Sequence, residues 1–92
     1  MWLNNDAMTV QDKIETITQR INNNKAEEEY IGTEIKIEYM YIDSKLQASG
    51  NIITKEVDQH YKNIDRLFGQ KHEYIVRQAN DKRALLRLLG VL

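Results

Sequence analysis

The side chains best suited to chemistry in this 92-residue chain are His60, His72 and the carboxylates near them. Glu56 and His60 stand four residues apart, about one helical turn, where a carboxylate and an imidazole point the same way. Di-iron bundles repeat a Glu-x-x-His unit on two helices. A lone pair supplies too few ligands, and His72 would lie about 18 Å from His60 along a helix. The sequence therefore predicts no metal and no other cofactor. It has no glycine-rich phosphate loop and no nucleophile beside a base in a readable motif, so no catalytic residue is assigned and the chain is expected not to be an enzyme. The absence of cysteine removes disulfides, thiolate chemistry and the commonest zinc sites. The run Glu27-Glu28-Glu29 reads as a solvated helix face.

The stretch Arg77, Lys82, Arg83, Arg87 is the one strip suited to phosphate contacts. It supports an alternative function, a small regulator binding nucleic acid or nucleotide. A net charge of −1 gives no broad electrostatic reason for such binding. Charge is nonetheless uneven: residues 1–49 carry nine acids and five bases, residues 50–92 five acids and eight bases. Two mutually attracting halves account for this. No apolar run approaches the roughly 18–20 residues that span a bilayer, and residues 1–6 lack the basic and apolar stretches of a signal peptide. A cytoplasmic protein is expected, with no membrane partner.

These residues need elements to carry them. Hydrophobic residues make up 41% and charged residues 29%, a composition that folds, while zero Pro and four Gly favour a few long elements over many short ones. From Thr9 the apolar residues recur at helical spacing: Val10, Ile14, Ile17, Ile21, Ile31, Ile35, Tyr39, Ile42, Leu46. Thr9 with Asp12 forms a carboxylate variant of the capping box. After Ser49-Gly50-Asn51 a second stripe runs through Ile53, Val57, Tyr61, Ile64, Phe68, Lys71, Ile75, Gln78, Lys82, Leu85 and Leu89. Folding the chain back between Ser49 and Gly50 sets Leu46 against Ile53, Ile42 against Val57, Ile35 against Ile64, Ile31 against Phe68, Ile14 against Leu85 and Val10 against Leu89. Tyr39 and Tyr61 miss by one residue. The polar interruption matches as well: Glu28 faces Lys71, a register pair within an apolar seam. The expected fold is all-α: one domain over residues 1–92, a long antiparallel two-helix hairpin, coiled-coil-like and associating into a helical bundle. Helix one covers about residues 9–48, with a possible break at Asn22-Asn23-Asn24, the turn 49–51, and helix two about 52–89. The competing reading is a strand at residues 33–43, where Ile35, Ile37, Tyr39 and Tyr41 alternate with polar residues, but no second such run exists to pair with it.

A further apolar row sits one position before the seam. It contains His60, Leu67, Tyr74 and Leu88 in helix two and Tyr30, Ile37 and Tyr41 in helix one. Two helices do not need that width of apolar surface, so these seven residues are the expected partner-binding face. Gly32 and Gly69, nearly opposite one another, suggest close backbone approach. At the open end Trp2 and Leu3 would cluster with Val91 and Leu92.

The long hairpin with a glycine near its middle resembles the Trp-x-Gly secretion-factor family, with Ala48-Ser49-Gly50 where that family has its tryptophan turn and a Tyr-x-x-x-acid pattern, Tyr61 to Asp65, inside helix two. That resemblance implies an exported helical partner protein. Thr54-Lys55-Glu56-Val57-Asp58 resembles the Ser-Gln-x-Leu-Asp signature of small sporulation phosphatases acting on response regulators, which implies Asp58 as the acting residue. The leading expectation remains a non-enzymatic protein-protein interaction module, as an adaptor, chaperone, inhibitor, or phage or secretion accessory protein. Its partner would be another protein or a second copy of itself, as a homodimer.

Overall fold

The computed structural model describes residues 8–91. The expected cluster of Trp2 and Leu3 with Leu92 falls outside them. Two helices, α1 (Val10–Ser49) and α2 (Lys55–Leu88), pack against each other as an antiparallel hairpin 63 Å long. α1 starts where the capping box places it: Thr9 Oγ1 accepts from the Asp12 N–H at 3.0 Å, and Asp12 Oδ2 accepts from the Thr9 N–H at 3.2 Å. The helix runs unbroken through Asn22-Asn23-Asn24, and Ile35 is helical, so residues 33–43 are not a strand. A period-two run of Ile and Tyr yields here to the helical spacing on both sides of it, which buries Ile31, Ile35 and Ile42 on one face.

The chain turns on two left-handed residues, Gly50 and Asn51, both with φ of 68°. The N–H groups of both reach the carbonyl of Leu46. Ser49 Oγ then bridges the Ile52 carbonyl at 2.9 Å and its N–H at 3.2 Å. Thr54 caps α2 by accepting from the Val57 N–H. Helix two therefore begins three residues later than the spacing suggested. Ile52 and Ile53 remain in the exposed connection, so Leu46 has no partner in Ile53.

Counting each helix in sevens accounts for the seam. Positions a of α1 are Ile14, Ile21, Glu28, Ile35 and Ile42, and positions d are Ile17, Asn24, Ile31, Glu38 and Lys45. In α2 the a positions are Val57, Ile64, Lys71, Gln78 and Leu85, and the d positions are His60, Leu67, Tyr74, Asp81 and Leu88. All twenty are buried or half-buried. Ile42 with Val57 and Ile35 with Ile64 are buried as expected, and Ile14 and Leu85 are half-buried. The pairing of Ile31 with Phe68 is corrected: Leu67 is buried at 3% exposure, whereas its neighbour Phe68 is 48% exposed. Tyr39, Tyr61, Val10 and Leu89 are exposed too. The a row coincides with the expected stripe, but in α2 the row beside it lies one residue earlier, at d instead of e. Both choices repeat every seven residues, so periodicity within α2 cannot separate them.

The buried apolar residues, Ile31, Ile35, Ile42, Val57, Ile64 and Leu67, lie toward the turn, with Leu46 and Tyr74 packed against them. The open half is held by half-buried Ile14, Ile17, Ile21, Leu85 and Leu88. The two glycines do not mark a pinch: a Cβ on Gly69 would meet nothing within 4 Å, and one on Gly32 only the Lys71 ammonium at 3.7 Å. Gly69→Ala should therefore stabilise the hairpin by roughly 0.5–1 kcal/mol through helix propensity. Gly50→Ala should cost about 1 kcal/mol because its φ is left-handed. Ile64→Ala should cost roughly 2–5 kcal/mol. Urea unfolding followed by circular dichroism checks all three signs.

Candidate functional site

The polar contacts between the helices are distributed unevenly, and the apolar surface left over follows from that. At the seam, His60 Nδ1 lies 2.6 Å from Glu38 Oε2, with both side chains 19% exposed. The Asn63 amide donates to Glu38 Oε1 at 3.4 Å, and the Tyr41 ring stacks on the imidazole at 5.5 Å between centroids. Toward the open end, Gln78 Nε2 donates to Glu28 Oε1 at 2.8 Å, and Arg20 pairs with Asp81 at 2.7 Å. Near the turn, Lys45 meets Glu56 at 2.8 Å. Arg20, Tyr41, Glu56 and Asn63 are all g positions. In an antiparallel pair the g rows of both helices share one flank and the e rows share the other. Among the described residues, every cross-helix polar contact lies in the seam or on the g flank.

The Lys45 ammonium, chiefly by its hydrogen bond, holds Glu56 below the usual carboxylate range. A carboxylate depressed in the folded state adds stability at neutral pH and loses it as pH falls through that lowered value. The Asp81 carboxylate raises the already basic Arg20, again mainly by hydrogen bonding, which leaves its charge unchanged at any ordinary pH.

The e flank carries Tyr39 and Leu46 from α1 and Tyr61, Phe68 and Ile75 from α2, with Leu89 just past the helix end, while Thr18, Lys25 and Lys82 make its open-end half more polar. All but the half-buried Leu46 are exposed. Gly32 sits among them as a notch in α1. In α2 the spacing of seven aligns Tyr61, Phe68 and Ile75 along about 21 Å of helix.

This arrangement corrects the expected partner face. Tyr30, Ile37 and Tyr41 are exposed, but His60, Leu67, Tyr74 and Leu88 belong to the seam. Leu67 is among the most buried residues, and His60 is held by Glu38. The register pair is corrected as well. Glu28 bonds to Gln78, while Lys71 extends beside Gly32, so the two charges share the seam without meeting. Nor do the four basic residues form one strip. At about 100° per residue, Lys82 points roughly 140° away from Arg77 around the helix. Arg77 lies over the Tyr74 ring at 4.9 Å, and Arg87 borders a shallow groove at the open end with Lys13, Ile17 and Leu88. Asp58, which the phosphatase resemblance singles out, is an exposed first-turn carboxylate 3.2 Å from the Lys62 ammonium. Among the described residues, no group of three or more His, Asp or Glu side chains is placed to share a metal ion, and no helix is long and apolar enough to cross a membrane.

No family model, curated protein or solved structure matches the chain. The surface must be interpreted from its geometry alone.

The Glu38–His60 pair supplies a direct test of the seam. Glu38→Ala should cost about 1–3 kcal/mol, because it leaves the half-buried imidazole and the Asn63 amide without their acceptor. Replacing both members, Glu38→Leu with His60→Leu, should recover that loss, since an apolar layer needs no polar partner. Denaturant midpoints of the single and double variants measure the difference.

Proposed function

We propose that this hairpin is a non-enzymatic protein-docking module whose working surface is the e flank, centred on Phe68 and Ile75. The carrying observation is the contrast between flanks. One is closed by Arg20–Asp81, Lys45–Glu56 and the Glu38, His60 and Asn63 cluster, and the other is an exposed apolar row with a notch at Gly32. Apolar rows of this kind on small proteins mark interaction sites, and helical spacing suits them to another helix laid alongside. The thin core supports the same reading. With six buried apolar residues among those described, in an extended two-helix rod, added helical surface would complete a core that the hairpin alone only begins. Tyr61 and Phe68, as large semi-rigid side chains, are the natural anchors. An adaptor, chaperone, inhibitor or accessory role would each operate by burying this flank.

The reading is tested by co-purification from the native host. Phe68→Asp with Ile75→Asp should abolish recovery of bound protein while circular dichroism shows the helices intact. Tyr30→Asp with Ile37→Asp, on the other side of α1, should leave recovery unchanged. Equal recovery by the Phe68/Ile75 variant rules out the e flank as the docking surface.

A further inference from the structure

Building on the docking reading above, we infer that the e flank is covered by a second copy of this chain, with the two hairpins antiparallel and their turns at opposite ends of a four-helix bundle. The argument rests on where the charges beside the flank fall. The register that sets Ile35 against Ile64 and Ile42 against Val57 also places Gly32 of α1 level with Phe68 of α2. A single two-fold axis can therefore pass through both rows. Around it α1 lies on α1 of the second copy and α2 on α2, each pair antiparallel. Phe68 then meets Phe68 of the second copy, and Tyr61 meets Ile75.

The neighbouring b positions were not used to choose this axis, yet they agree with it. Glu29 comes opposite Lys36 of the second copy, and Asp65 opposite His72, each contact occurring twice by symmetry. Glu29, Lys36, Asp65 and His72 are exposed and make no ion pair among the described residues. Turning the copy so that both turns lie at the same end would still bring Lys36 to Asp65 and Glu29 to His72, but it would also set Asp43 against Asp58 twice. That doubled like-charge contact is what favours the arrangement with the turns at opposite ends. The area is also adequate. The e rows extend for about 42 Å from Thr18 to Leu46, and two helices side by side are about 20 Å wide. That gives roughly 800 Å² per partner, the size of a standard stable interface.

Sedimentation equilibrium of the full chain should give twice the 10.9 kDa monomer mass at micromolar concentration. Glu29→Lys alone should weaken the dimer about tenfold by setting like charges opposite each other at two symmetric contacts. Adding Lys36→Glu should restore it. Because the chain has no cysteine, a spin label on Gln47→Cys reports orientation without interference. Label separation of about 45 Å is expected, since each label sits fifteen residues from the axis in opposite directions. A separation under about 20 Å would mean that the turns lie together and would overturn the arrangement. A monomer throughout the concentration range, or a Glu29→Lys defect that Lys36→Glu does not repair, would overturn self-pairing. The flank itself is judged separately, by the Phe68/Ile75 co-purification.

Discussion

Burial of Ile35 and Ile42 against Val57 and Ile64 is the constraint on which the rest of this molecule depends. Val57 is wholly shielded from solvent, and its position is set locally by Thr54, whose hydroxyl accepts its N–H. Those four residues fix the offset of one helix along the other, and the polar partners at d then fix the rotation of α2. Every other surface follows from that choice. Leu67 goes inward and Phe68 outward, although they are adjacent and chemically similar.

Polar residues within the seam define this rotation more sharply than its aliphatic residues do. A seam of isoleucine and leucine alone would tolerate rotation of α2 by a fraction of a turn, because the a and e rows are together at least as apolar as a and d. Glu38 with His60 and Arg20 with Asp81 each require the observed phase, while Glu28 with Gln78 holds the offset of the shared a row. Such groups contribute little net stability, since their desolvation offsets much of the attraction, but they penalise alternatives that leave them buried and unpaired. The same groups close the g flank, so the specificity of the hairpin and the openness of the e flank have one cause.

Much of this was legible in the sequence. The capping box at Thr9, the turn at Gly50, two long helices and the pairing of Ile42 with Val57 and Ile35 with Ile64 all follow from spacing and residue type. The phase of α2 did not follow. Phe68 and Ile75 are larger apolar side chains than His60 and Asp81, so a reading by hydrophobicity draws them into the seam and moves Leu67 and Tyr74 out. The row expected to be free on α2, His60, Leu67, Tyr74 and Leu88, is thus the row that lines the seam. A signal was present in Glu38, which stands opposite His60, and in Arg20 opposite Asp81, but these appear as partners only when α2 is read at d. The unbroken passage through three asparagines reflects tertiary packing overriding weak helix propensity. Ile21 and Asn24 both lie in the half-buried row and carry the helix across.

The central claim is the phase of α2, and methyl-resolved NMR addresses it directly. Cross-helix NOEs should connect the Leu67 methyls to those of Ile31 and Ile35, while the Phe68 ring shows none to either isoleucine within its own chain. NOEs from the Phe68 ring to Ile31 and Ile35, with Leu67 silent, would contradict the seam and the assignment of the exposed flank built on it.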